Sequence, residues 1–376
     1  MKTTETTAPI TEYIESALPW AHGHQIKGIA DYVEAILRRQ TGNQAELSRG
    51  MGNQEAALKR LSRLIHNERL NPRWLAEAVL DQAIGQIPNR GKVRLALDWT
   101  IEDDQHLLVI SLVIKGRGIP IFWRAYAASV LKGRMKVYEM AILKRVLDRV
   151  RGKIGRRRLI VTADRGFADV GLCEVLDSYR VEYIIRTKCT TKVLVAGEWR
   201  QLQTISFITN SRRRNLGQVH YCESAPHTLW VSLSRIKNTE ENKWEVWYLM
   251  SNRKQSAAQM AGEYARRFRC EQGFRDVKRL LGFADARIAD IKAWSRFFAL
   301  FALALLILVS LAIAVLLRDP KIAARLLRRV ASRRRGRCEL SLINAMLKLL
   351  EHDSSLFLWL DPKRFINLEA GFSNVS

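Results

Sequence analysis

The sequence predicts an α/β protein, a mixed sheet flanked by helices, and three observations lead there. Residues 1 to about 90 read as helical throughout. Three apolar runs follow with short connections, and strand and helix patterns alternate after them. A strand-rich block over 188–250 then precedes a basic, helix-length stretch, Tyr264 to Lys278. The chain accordingly divides into a helical domain (1–90), a first part of the core (91–187), a β insertion (188–250), a second part of the core (251–320) and a C-terminal helical region (321–376).

Each element has its own reason. Ile29 to Arg38 is amphipathic, with Ile29, Tyr32, Val33, Ile36 and Leu37 on one side. A short helix, Ala45 to Arg49, leads into Gly50-Met51-Gly52 and then Asn53, a good N-cap for a helix from Gln54 to Ile65. That helix carries Lys59, Arg60 and Arg63, the candidate DNA contacts of this part. Helix, glycine turn and basic helix resemble a helix-turn-helix, and an ordinary helical bundle fits the same pattern equally well. Val93 to Thr100, Leu107 to Lys115 and Ile119 to Ala127 read as an antiparallel meander. A helix from Val137 to Val150, a strand from Arg158 to Ala163, a helix from Val170 to Tyr179 and a strand from Tyr183 to Thr187 complete the first part of the core. Within 188–250, rich in Trp and basic residues, the clearest strands are Leu229 to Ser234 and Trp244 to Met250.

Composition narrows the function classes. Lys and Arg number 62 against 37 Asp and Glu, a formal charge of +25, which points to a polyanionic partner and above all to nucleic acid. The cations are spread along the chain rather than gathered in one tail. Five cysteines form no CxxC pair and seven histidines complete no zinc spacing, so reduced thiols in a cytoplasmic protein are expected. The N-terminus, MKTTETTAPI, lacks the apolar core of a signal peptide. Phe297 to Leu317, interrupted by Ser310 alone and bracketed by Arg296 and Arg318, has the length of a membrane span; the alternative is a helix buried on all sides in an α/β core.

The chemistry is carried by acidic residues. In Tyr264–Lys278, at about 100° per residue, Arg267, Glu271 and Lys278 fall near −60°, −20° and −40° from Tyr264, so all four share one stripe about 21 Å long. A carboxylate inside a cationic stripe would repel phosphate unless it holds a metal ion that bridges to it. The bland alternative is a solvated helix face. Asp98 closes the apolar run LALD, and Asp164 closes LIVTAD before Arg165-Gly166-Phe167. Each alone can be a mere turn residue. Two strand-end aspartates and a helical Glu could instead gather round a pair of divalent ions, and hard oxygen ligands suit Mg²⁺, with Mn²⁺ as substitute.

At this point a resemblance becomes specific. The chain resembles bacterial insertion-sequence transposases of the DDE class, in the group marked by a Tyr-x2-Arg-x3-Glu-x6-Lys signature (insertion-sequence family four). Here the signature is Tyr264, Arg267, Glu271 and Lys278, and Asp98-Trp99-Thr100 and Asp164-Arg165-Gly166-Phe167 match the two aspartate motifs. The resemblance covers roughly residues 90–310. It implies an RNase H-like fold, a catalytic and metal-holding triad of Asp98, Asp164 and Glu271, two Mg²⁺ ions, and a β insertion before the Glu helix. It implies cut-and-paste transposition: binding of terminal inverted repeats, hydrolysis, a DNA hairpin, and joining to target DNA. Tyr264, Arg267, Lys278 and Arg165 would contact DNA, and Trp247 would stack a flipped base, with Trp244 and Trp230 as substitutes. A homodimer in the synaptic complex and a buried rather than membrane-spanning Phe297–Leu317 follow as expectations. The competing readings are a related nuclease without strand transfer, an inactive DNA-binding derivative, and a basic inner-membrane protein.

Overall fold

The computed structural model describes residues 8–102, 104–114, 116–154, 158–238, 242–317, 320–330 and 341–368. The expected C-terminal helical region therefore lies partly outside the described residues, as does Cys338. The helical segment comes first, with α1 (Ala8–Ala17), α2 (Gly23–Arg39), α3 (Gln44–Ser48), α4 (Gln54–Ile65) and α5 (Pro72–Gly85). Strands β1 (Val93–Glu102), β2 (Gln105–Ile114) and β3 (Arg117–Ala127) follow, then α6 (Ala128–Leu131), α7 (Met135–Ile154), β4 (Leu159–Ala163), α8 (Val170–Ser178) and β5 (Glu182–Arg186). The β insertion supplies β6 (Lys192–Val195), β7 (Glu198–Gln201), β8 (Arg213–Tyr221), β9 (His227–Asn238) and β10 (Lys243–Ser251). The chain closes with α9 (Ala257–Ala265), α10 (Phe268–Arg275), α11 (Ile291–Leu316), α12 (Pro320–Val330) and α13 (Leu342–His352). The architecture is mixed α/β.

Two units are distinguished by their internal contacts: 1–89, 100–129 and 271–376 form the first, and 90–99 with 130–270 the second. In the first, the Asn53 side chain accepts from the Ala56 N–H and fixes the start of α4, while Gly50 and Gly52 supply the left-handed backbone of the turn before it, with φ of 78° and 79°. Strands β2 and β3 pair antiparallel. Helix α11 packs on β3 and also on α2, α4, α5 and α13. Asp290 caps α11 by accepting from the Ala293 N–H at 2.6 Å. Every residue from Ala293 to Leu316 is buried. The helix is long and apolar enough to cross a membrane, with a mean hydropathy of 3.1 over its most apolar 18 residues, yet all of those residues are buried inside the protein. Each Leu, Ile or Phe buried in this way contributes about 1.5–3 kcal/mol, which explains an all-round apolar helix without a bilayer. Arg296 is buried at its start and donates to the carbonyls of Leu70 and Ile65, so the end of α4 is tied to this helix.

The second unit is built on parallel strands. Val93 stands opposite Leu159 across β1 and β4, and Ile160 opposite Glu182 across β4 and β5. Tyr183, Ile184 and Ile185 are all fully buried, the pattern of a strand covered on both faces. Antiparallel β10 joins β5, and β9, β8, β6 and β7 extend the order outward. The block expected to be β-rich over 188–250 is thus β6 to β10. Helix α9, opened by a Ser256/Gln259 capping box, lies on β5, β8, β9 and β10 with Met260, Ala261 and Tyr264 turned into the core.

Candidate active site

The parallel register brings the two aspartates to one edge. Leu97 pairs with Ala163, so Asp98 and Asp164 each follow the last matched residue of neighbouring strands, which run about 4.8 Å apart. Both carboxylates are half-buried and engaged. Asp98 accepts from its neighbour's backbone, Trp99 N–H, at 3.0 Å, and faces the Arg267 guanidinium at 3.5 Å and the Cys270 thiol at 3.7 Å. The Tyr264 hydroxyl donates to Asp164 at 3.1 Å. Burial, the largest cause, holds that hydroxyl above its usual range; Asp164 pushes the same way against Arg267 and Arg186, and the phenol stays a proton donor at neutral pH. Arg267, 4 % exposed, also lies over the rings of Phe268 at 4.8 Å and Tyr264 at 5.5 Å. Two signature residues thus act as partners of the two aspartates.

The stretch carrying the signature is not the single helix that its spacing suggests. Helix α9 ends at Ala265, α10 runs from Phe268 to Arg275, and a π-helical turn, Asp276–Leu280, follows. The amides of Arg266, Arg267, Arg269 and Cys270 bond three residues back, while Leu281 bonds five back to Asp276. Three-residue and five-residue turns advance by different angles from an α-helix, so the computed stripe does not survive. Tyr264 and Arg267 are buried and Glu271 is exposed. Lys278, in the π-helical turn, pairs with Glu102 inside the first unit. The boundary between the two units falls between Cys270 and Glu271, so Glu271 belongs to the first unit and the aspartates to the second.

A brace behind the aspartates was not foreseen. Trp99 donates its indole N–H to Glu139 at 2.8 Å; Lys136 pairs with Glu139 at 2.8 Å, donates to the Gly166 carbonyl, and sits over Phe167. The residue after Asp98 and the loop after Asp164 are therefore held by one buried glutamate, 1 % exposed. Glu139→Ala removes the acceptor of the indole N–H and the ion-pair partner of the ammonium and is expected to lower stability by about 1–3 kcal/mol, whereas Glu139→Gln keeps an acceptor and costs less. Urea melts of the two variants decide this; equal midpoints would mean that the brace holds nothing.

The tryptophans separate by burial. Trp247 is 5 % exposed, stacks on Phe268 at 5.5 Å, meets Tyr264 edge-on at 5.0 Å and belongs to the apolar core with Ile184 and Leu249. Its indole donates to Glu245, which also pairs with Arg186. Trp244 is 53 % exposed with Arg212 over its ring at 4.9 Å, and Trp230 sits under Lys254 at 5.8 Å. Trp247→Ala is expected to cost about 3–5 kcal/mol by opening a core cavity, and Trp244→Ala close to nothing. Thermal melts check the contrast, and comparable losses would contradict the burial argument. A stacking role is therefore tested more cleanly at Trp244.

The remaining candidates are cations. Arg165 is exposed beside Asp164 and lines a cavity of about 630 Å³ with Arg186, Lys188, Val246 and Tyr248. Lys59, Arg60 and Arg63 stand on the exposed side of α4, Lys59 pairing with Glu55 at 2.6 Å. The four described cysteines are free thiols. Among the described residues no group of three or more His, Cys, Asp and Glu side chains is arranged to hold a metal ion. Asp98 and Asp164 do fit a divalent cation in kind, as two hard-oxygen donors at adjoining strand ends. An ion there would have to exchange with the Arg267 and Tyr264 contacts.

No curated protein matches the chain. Residues 127–307 match the family model of a transposase DDE domain. The matched stretch contains Asp164 and the whole Tyr264, Arg267, Glu271 and Lys278 signature, while Asp98 lies ahead of it. The match supports a DDE transposase.

Proposed function

We propose that the chain is a cut-and-paste insertion-sequence transposase of the Tyr-Arg-Glu-Lys group, with an RNase H-like core. The observation that carries this reading is the pair of aspartates at register-matched ends of β1 and β4, each held by a signature residue. Asp98, Asp164 and Glu271 are the residues that would hold divalent cations, Mg²⁺ first and Mn²⁺ in its place. Such ions, when bound, supply activation of the attacking oxygen and stabilisation of the leaving one.

The chain's own residues do the rest. Tyr264 and Arg267 orient the carboxylates, and Arg267 balances the charge of Asp98 when no cation is present. Arg165 and Lys278 hold phosphates of the strand to be cut, and Lys59, Arg60 and Arg63 on α4 contact the terminal repeats. Two copies hold the two ends, and the protein works in the bacterial cytoplasm. Purified protein, Mg²⁺ and a duplex carrying the ends of its own element test the proposal. Cleaved ends, a hairpin and joined target DNA are expected. Cleavage without joining would make the protein a nuclease, and neither product would leave a DNA-binding derivative.

A further inference from the structure

A second basic surface lies in the same unit, away from the aspartates. Lys92 precedes β1 and Glu182 opens β5, so this edge is the N-terminal end of the parallel strands, whereas Asp98 follows the matched part of β1. Five strand residues separate the two edges, about 17 Å. Here a groove of about 540 Å³ is lined by Lys92, Arg253, Lys254 and Arg266, by Gln255 and Gln259, and by two glutamates. Not one lining residue carries an apolar side chain.

The glutamates are already satisfied. Glu182 takes Lys92 at 2.9 Å and the Gln255 amide at 2.8 Å. Glu263 takes Arg266 at 3.1 Å and also Arg94. Arg253 and Lys254 are exposed and make no ion pair among the described residues, and the Lys254 ammonium is steered by the Trp230 ring. The groove therefore presents uncompensated positive charge together with two amide side chains. Protein interfaces have an apolar centre, which this groove lacks. Phosphate backbones are contacted by Arg, Lys, Gln and Asn without any apolar floor.

We propose that this groove binds the phosphate backbone of duplex DNA, independently of sequence, as a contact separate from the candidate cleavage site. The inference rests on the reading of the chain as a DNA-acting enzyme. Its test needs no cleavage. Binding of the full chain to an arbitrary duplex of about 30 base pairs is measured in EDTA over a series of salt concentrations. R253Q/K254Q removes two cations from exposed positions, and R253E/K254E reverses them. The Gln pair is expected to weaken binding by about tenfold and to flatten the plot of log affinity against log salt by about two contacts, with the Glu pair weaker still. A thermal midpoint equal to that of the unmodified chain shows that the fold is kept. Unchanged affinity and slope in both variants would overturn the proposal and give the groove to an acidic partner, and so would an unmodified chain that does not bind the duplex. A chain that binds through the groove but never cuts would instead remove the transposase reading and leave this one standing.

Discussion

Asn at position 98 or 164 is expected to abolish metal-dependent DNA cleavage, by a factor on the order of 10³ or more. A cation that has lost a charged ligand forfeits several kcal/mol of charge stabilisation, and each 1.4 kcal/mol is tenfold in rate. The two variants are not expected to behave alike in stability. Asp164 accepts a neutral hydroxyl from Tyr264, and an Asn oxygen accepts it equally well. Asp98 faces Arg267, a buried guanidinium, so Asp98→Asn removes a negative charge beside it and costs about 1–3 kcal/mol. Glu271→Gln, at an exposed position, is expected to lose cleavage with a smaller change in its melting midpoint than Asp98→Asn. The measurement is single-turnover cleavage beside urea denaturation. Near-normal cleavage by any of the three variants would remove that residue from the proposed metal set. Equal destabilisation by the two Asn variants would mean that the Arg267 contact contributes nothing.

Much of this arrangement is legible in the order of residues, for local reasons. Helix α4 is bounded as expected because Asn53 and the glycines before it are local signals. The core strands lie within two residues of expectation, since long apolar runs between turn residues leave little choice of register. The aspartates are legible because a carboxylate closing an apolar strand needs a reason. What is not legible depends on partners far along the chain. The break after Ala265 has no proline to announce it; there Arg267 turns inward to a residue 169 positions earlier. Glu139 lies 40 residues from Trp99, and no spacing rule joins them. Trp247 falls on the strand face shared with buried Leu249, and Trp244 on the other, an alternation that could have separated the two tryptophans.

Gly273 follows Glu271 by two residues, and its side-chain position is already filled. A Cβ there would stand 1.9 Å from the Gly118 carbonyl oxygen and 2.8 Å from its carbon. Gly118 cannot step aside, because it is paired with Val113 in the β2–β3 ladder. Helix α10 would have to lift from the start of β3, and it carries Glu271 with it. Gly273→Ala is therefore expected to destabilise by about 3 kcal/mol, the upper range for overpacking, and to reduce cleavage even where the protein stays folded. Gly262, in the middle of α9, meets nothing within 4 Å. The same substitution there is expected to stabilise by about 0.5–1 kcal/mol, because alanine loses less backbone freedom in a helix. The opposite signs matter, since helix propensity alone favours alanine at both positions and only the backbone contact reverses it at Gly273. Paired urea melts of the two variants measure the difference, and a Gly273→Ala protein as stable as the parent would show that the helix does not lie against the hairpin.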